Sequence, residues 1–253
     1  MSDDSRIEIK TNSEIEIMRA GGQILKEILN ELSQQVKPGL TTWDLELAAR
    51  NLLNEKRVQP AFLGYRGYPA SLCASINNEV VHGIPSAKRI LKSGDIIKLD
   101  FGILYKSFYS DMAVTVAVGI ADDESQRLMD ATKAALDNCI KEARAGNRLG
   151  DISHAIQKTA EDAGFNVVRE YTGHGIGRRL HESPQIPNFG MAGTGPRLKK
   201  GMVFALETMV NAGDWETKTL QDGWTVITAD GKRSAHFEHT VLITDADPDI
   251  LTL

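Results

Sequence analysis

Four acidic residues, Asp100, Asp111, Glu207 and Glu238, stand inside segments that are otherwise apolar and read as β-strands. A carboxylate in such a place is costly to bury unless something positive meets it. Residues 94 to 118 form two apolar runs around a polar stretch near Tyr105 and Lys106, the pattern of an antiparallel hairpin. Asp100 and Asp111 lie equidistant from its centre, so the spacing predicts them opposed on one face with Cβ atoms ~5 Å apart. Residues 202 to 210 and 236 to 244 (HFEHTVLIT) read as two further strands, which carry Glu207 and Glu238. Histidines accompany the acids. The segment GHGIGRRLHESP (173 to 184) is Gly-rich, so its backbone can approach a ligand closely, and it bears His174 and His181. His82 follows a turn in NNEVVHGIP.

Four ionised carboxylates are neutralised by two divalent cations, which makes a pair of metals the simplest occupant of such a cluster. One imidazole among oxygen donors, with no cysteine ligand, favours Mn(II), Fe(II), Co(II) or catalytic Zn(II) over structural zinc. Paired dications ~3.5–4 Å apart can activate a water at neutral pH and polarise a carbonyl, the equipment of amide hydrolysis. The remaining histidines would then assist proton movement and bind a developing oxyanion.

Helices and turns must position these strands. Residues 11 to 36 open with a capping box read at Ser13 and Glu16 and then place Ile17, Ile24, Leu25, Ile28, Leu29 and Leu32 at helical spacing. Pro38 and Gly39 break that helix, Thr42 reads as the next N-cap, and Leu45, Ala48, Ala49, Leu52 and Leu53 make a second buried stripe. Residues 122 to about 144 and Asp151 to Asp162 repeat the layout, ended by Gly146 and Gly164. One constant shift lays Gly39 on Gly146, Asp44 on Asp151 and LKSGDIIKLD (91 to 100) on LKKGMVFALE (198 to 207), so that Asp100 meets Glu207. Internal similarity of this kind predicts two related halves, about 12–118 and 122–245, inside a single domain spanning 1–253. Their sheets would join around a pseudo-twofold axis, with sites at the seam.

Composition narrows the class. With 253 residues, 42% hydrophobic and 25% charged, the chain is an ordinary folded protein able to bury a sizeable core. A net charge of −5 argues against a nucleic-acid partner. No apolar run reaches the ~18 residues of a membrane span, and the opening MSDDSRIEIK lacks a secretory signal, so a cytoplasmic location is expected. Two cysteines, Cys73 and Cys139, cannot make a disulfide framework, and Cys139 is given only a packing role.

The motifs GYPASLCASINNEVVHGIP (67 to 85), KLDFGILYKSFYSDMAVT (98 to 115), GHGIGRRLHESP, FALET (204 to 208) and FEHTV (237 to 241) resemble, in order and over nearly the whole chain, those of type I methionine aminopeptidases. The resemblance is to the bacterial form without an N-terminal extension. It implies an α/β (α+β) pita-bread fold, a pseudo-twofold antiparallel sheet core covered by helices, and removal of N-terminal methionine by two divalent ions (Co, Mn, Fe or Zn). It makes Asp100, Asp111, His174, Glu207 and Glu238 the metal ligands, with Asp111 and Glu238 bridging, His174 and Glu207 completing one site and Asp100 the other. His82 would contact the scissile peptide, His181 the carbonyl or the tetrahedral intermediate, and Glu207 would also shuttle a proton. Tyr65, Tyr68, Cys73 and Trp224 would form the pocket for the thioether side chain. N-terminal Met peptides and nascent polypeptides, met at the ribosome, are the implied partners, with no membrane or direct nucleic-acid partner and a monomeric chain.

Three positions depart from that pattern: Arg66 stands where such proteins often have histidine, Leu180 where phenylalanine is common, and His236 where glutamine is common. They bear on the shape of the pocket. The short interval from Glu207 to Glu238 leaves no room for the helical insert of type II enzymes. The alternatives are a proline-specific peptidase of the same fold, which would carry a separate N-terminal domain, and a non-catalytic peptide-binding relative, which would lack ligands.

Overall fold

The computed structural model describes residues 7–253. Residues 1–6, part of the opening segment in which no secretory signal is read, lie outside the described residues. The elements in chain order are α1 (Asn12–Gln35), α2 (Thr42–Lys56), β1 (Gln59–Pro60), β2 (Leu72–Ile76), β3 (Glu79–Val81), β4 (Ile96–Tyr105), β5 (Phe108–Ala117), α3 (Asp123–Glu142) and α4 (Leu149–Asp162). There follow β6 (Asn166–Val167), β7 (Thr172–Gly175), β8 (Glu182–Pro187), β9 (Val203–Asn211), β10 (Thr217–Thr219), β11 (Val226–Thr228), β12 (Ser234–Leu242) and β13 (Asp249–Ile250).

The principal sheet is antiparallel and runs β1-β4-β5-β12-β9-β7-β8, with β2 beside β4; a smaller sheet runs β10-β11-β3. Hairpin β4–β5 belongs to the first half of the chain, and β9 and β12 to the second. The seam is therefore the β5–β12 contact, where Glu238 pairs with Ala113.

Side chains alternate across a strand, so each long strand has a helix-facing and an open-facing set. Ile97, Leu99 and Phe101 of β4 pack with Leu25, Leu29 and Leu45 of α1 and α2 in one apolar cluster. Phe204, Leu206 and Val210 of β9 pack with Leu136, Ile152 and Ile156 of α3 and α4 in another. Each fully buried aliphatic or aromatic side chain here contributes ~1.5–3 kcal/mol. Because the apolar set is committed to the helices, Asp100, Glu207 and Glu238 must point to the other face.

Helix starts differ from the sequence reading by a residue or two. The capping box of α1 is Thr11 with Glu14, not Ser13 with Glu16: the Thr11 hydroxyl accepts from Glu14 N, and Glu14 accepts from Thr11 N at 2.8 Å. Thr41, not Thr42, caps α2, and the Thr42 hydroxyl instead donates to Ser86 O. α4 begins at Leu149, with Asp151 accepting from Arg148 N at 2.7 Å. α3 ends at Glu142, so Gly146, in the left-handed region at φ 96, lies in the following loop. Several Ser, Thr and acidic residues crowd each start, and only the backbone path chooses among them.

One acid is buried against the helix side. Glu46 of α2 is fully buried; it accepts from Ser71 N and Leu72 N, each at 2.9 Å, and from Arg50 Nε at 2.6 Å. It thereby fixes the entry to β2. Glu46→Ala strands these donors, and urea unfolding is expected to show a loss of about 2–4 kcal/mol.

Candidate metal centre

Strand pairing lines the acids up. Reading across the sheet, Cys73 pairs with Asp100, Asp100 with Ala113, Ala113 with Glu238, and Glu238 with Glu207. These residues share one rung and one face of five strands. His174 of β7 pairs with Ala205, two residues from Glu207. Asp111 is not directly opposite Asp100, as the hairpin spacing suggested. It pairs with Gly102, because a two-residue turn at Lys106 and Ser107, both at positive φ (46 and 70), sets the register. Asp111 remains on the same face, diagonal to Asp100. Gly102 makes that face passable, since a Cβ there would sit 3.2 Å from the Asp111 Oδ1 and 2.9 Å from Phe62. Thr240 pins Asp111 from across the seam: its hydroxyl accepts from Asp111 N at 3.0 Å and donates to Asp111 O at 2.8 Å.

Asp100, Asp111, His174, Glu207 and Glu238 all line one cavity of about 320 Å³. One ligand-type atom each from Asp111, His174 and Glu238 lies within 4.8 Å of the others, and His174 Nε2 is 3.8 Å from Glu207 Oε1. Burial pushes the Asp100 carboxyl up to about 7. Burial, then the neighbouring acids, push Asp111, Glu207 and Glu238 well above the carboxylate range. Asp100 Oδ1 and Glu238 Oε1 are buried with no hydrogen-bond partner among the described residues. Stranded anionic oxygens beside one imidazole are the donor set of a divalent metal site, and the residues present fit one. His174 Nδ1 lies 2.9 Å from Gly175 O, which leaves Nε2 free as a ligand atom.

The other sequence-predicted residues, His82, His181, Tyr65, Tyr68, Cys73 and Trp224, line the same cavity. His82 sits at φ 60, a strained backbone for a non-glycine residue, and its ring packs edge-on to Tyr171 and Trp224. Tyr65 stacks on His181 at 5.2 Å, and its hydroxyl is 2.8 Å from His181 Nδ1. Burial holds both His82 and His181 down at about 4, so both rings are neutral at pH 7. The Tyr68 hydroxyl shares its one proton between Leu72 O at 3.1 Å and Gly83 O at 3.2 Å, which fixes its ring against Trp224. Arg66 and Leu180 also line the cavity, whereas His236 lies behind it, with Nε2 3.7 Å from Glu238 and 3.9 Å from Glu207.

Sequence reasoning missed several contributors. Phe62, Val81, Glu170, Tyr171, Thr172 and Gln185 complete the cavity wall. Lys98, two residues before Asp100 and fully buried, donates to Asn77 O and Ser234 O and so ties the two halves together. Lys10 Nζ bonds Glu182 at 2.5 Å, and Gly177 leaves room for that amine, which a Cβ there would meet. This buried pair anchors the loop that carries His181. Lysine within an apolar strand was a visible signal; the long-range pair was not.

The model of metallopeptidase family M24 matches residues 16–245. Methionine aminopeptidase of Clostridium perfringens is 49% identical over 245 residues, 97% of this chain and 98% of that protein. Methionine aminopeptidase 1 of Bacillus subtilis is 48% identical over 243 residues, 96% of this chain and 98% of its own. The crystal structure of methionine aminopeptidase from Thermotoga maritima superposes with a TM-score of 0.96 at 49% identity, covering 98% and 99% of the two chains. Prolidase from Pyrococcus furiosus shares the fold, with a TM-score of 0.80 at 22% identity over 98% of this chain and 66% of that one. The fold is thus the pita-bread arrangement expected from the sequence. No helix among the described residues is long and apolar enough to cross a membrane.

Burial of the cluster's carboxyls has a measurable consequence for metal-free protein. A carboxyl whose folded pKa is raised binds more protons folded than unfolded, so its contribution to stability falls as pH rises from about 4 through its folded pKa. For Asp100 that window ends at about 7. In chelator at pH 8, Asp100→Asn is expected to unfold at higher urea than the parent, by about 2–4 kcal/mol, with the gain shrinking toward pH 4.

Proposed function

The chain belongs to metallopeptidase family M24, and from that premise we propose that it is a methionine aminopeptidase, hydrolysing the peptide bond after an N-terminal methionine. The observation that carries the reading is the buried group Asp111, His174 and Glu238, which lines a cavity together with Phe62, Tyr65, Tyr68 and Trp224. The similarity over full length to methionine aminopeptidases supports it.

In this reading Asp100, Asp111, His174, Glu207 and Glu238 would together hold two divalent cations. Mn(II), Fe(II), Co(II) and Zn(II) are the candidates, and two of them balance the four carboxylates. When bound, the cations supply Lewis acidity, polarising the scissile carbonyl and making a water acidic enough to attack at neutral pH. The remaining work falls to side chains. Neutral His82, braced by Tyr171 and Trp224, contacts the scissile peptide. His181, whose Nδ1 lies 2.8 Å from the Tyr65 hydroxyl, presents an Nε2–H to the carbonyl oxygen as charge develops there. Glu207 takes the proton of the attacking water and passes it to the leaving amine.

Tyr65, Tyr68, Cys73 and Trp224 receive the methionine side chain, with Cys73 beside Asp100 on the same rung. A flexible thioether suits such a slot. Nascent polypeptides are the proposed physiological substrates, which sets the work in the cytoplasm near the ribosome, with the chain acting as a monomer. We further propose that one catalytic domain, 1–253, is built from related halves, about 12–118 and 122–245. Gly39 and Gly146, and Gly94 and Gly201, share positive φ, and Asp44 and Asp151 each accept from the N-cap backbone of their helix.

The test is to supply Mn(II) or Co(II) and compare Met-Gly-Met-Met with an X-Pro peptide. Methionine released from the first alone supports the proposal, and cleavage of the second alone replaces it with a proline-specific peptidase. Asp111→Asn and Glu238→Gln are expected to lose metal and turnover together, read by metal content and by methionine release. His82→Ala is expected to lower kcat by about 100-fold with metal content unchanged; loss of metal would make His82 a ligand.

A further inference from the structure

His236 has no part in the roles above. Its side chain is almost completely buried, and neither ring nitrogen has a hydrogen-bond partner among the described residues. A buried imidazole carries at least one N–H, and leaving it unmatched is unfavourable, so such a group calls for a physical reason. The ring lies on β12, on the same face as Glu238 and two residues before it. Its backbone is fixed from the neighbouring strand: Thr115 donates to His236 O at 2.7 Å and accepts from His236 N at 2.9 Å. Nε2 faces Glu238 Oε2 at 3.7 Å and Glu207 Oε2 at 3.9 Å. Glu238 in turn has an unmatched buried oxygen, Oε1. An unmatched donor thus stands next to carboxylates that need orienting.

We propose that His236 is a positioning residue for the metal-binding carboxylates: its Nε2–H points at Glu238 and Glu207 from just beyond hydrogen-bond distance and closes on one of them, holding the pair in the orientation that captures a divalent cation. The inference rests on the metal-site reading given above. Donors behind ligating carboxylates fix their rotamers and charge distribution, and their loss commonly weakens metal binding by about 10–100-fold. A glutamine at this position also presents N–H donors, whereas leucine fills the space with none.

Calorimetric titration of chelator-treated protein with Mn(II) reads the effect directly. His236→Leu is expected to bind about 10–100-fold more weakly than the parent, and His236→Gln within about threefold of it. Circular dichroism of the metal-free proteins checks that both fold. Nitrogen-15 NMR of the histidine rings in the parent, loaded with Zn(II), is the measurement that needs no variant to fold. It is expected to place the His236 proton on Nε2, and a metal-coordinated Nε2 would overturn the proposal by making the ring a ligand. Unchanged affinity in His236→Leu would overturn it alone, while a parent protein that takes up no Mn(II) would overturn the metal-site reading together with it.

Discussion

Four carboxylates held together out of water are the constraint on which this molecule is built. Burial raises the pKa of each, and repulsion from neighbouring acids adds to the rise at Asp111, Glu207 and Glu238. Without positive charge the arrangement is unfavourable, and the surrounding structure bears that cost. Two apolar clusters, one for each helix pair, clamp the same strands from the opposite face. The cluster is therefore held by packing behind it rather than by its own contacts. That division is typical of sites preorganised for a ligand whose charge completes them.

Antiparallel pairing across the seam converts sequence separation into proximity. Asp100 and Glu238 are far apart along the chain, yet a single rung joins them through Ala113. Small residues on that face keep the rung open, Ala113 between two acids and Gly102 beside Asp111. Lys98 lies on the same face of β4 but gives its ammonium to carbonyl oxygens of Asn77 and Ser234. Its charge thus joins the halves without occupying the space between the carboxylates.

Much of this was legible because a strand has a period of two. An acid within an apolar run announces a face that is neither solvent nor helix-facing core, and the four acids were singled out that way, whereas His174 was singled out by the Gly-rich segment that carries it. The direct Asp100–Asp111 opposition was not correct, because register depends on whether the hairpin turns on two residues or more, and Lys106-Ser107 carries no glycine to mark a tight turn. The choice of Thr11 over Ser13 and of Thr41 over Thr42 as helix caps was likewise undetermined by residue type. Glu46, the Lys10–Glu182 pair and Tyr171 were invisible for a different reason: their partners come from remote segments, and no local pattern encodes such a contact. Motif resemblance supplied roles for His82, His181 and the pocket that spacing alone could not assign.

The histidines show why cations, rather than protonated imidazoles, are the natural complement of the acids. Burial lowers His174 to about 3 and His181 to about 4, with nearby His181 and Arg66 respectively adding to it. His82 follows for the same reason, burial first and then His181. Rings that stay neutral at pH 7 cannot neutralise carboxylates, but they can ligate through a lone pair or donate one hydrogen bond each. The Gly175 carbonyl can only accept, so it accepts from His174 Nδ1 and leaves a lone pair on Nε2, whereas the Tyr65 hydroxyl at His181 Nδ1 can donate or accept and is compatible with either tautomer. Two identical side chains whose ring centroids lie 4.2 Å apart thus differ in what meets them: a carbonyl sets the tautomer of one, and a hydroxyl able to donate or accept meets the other.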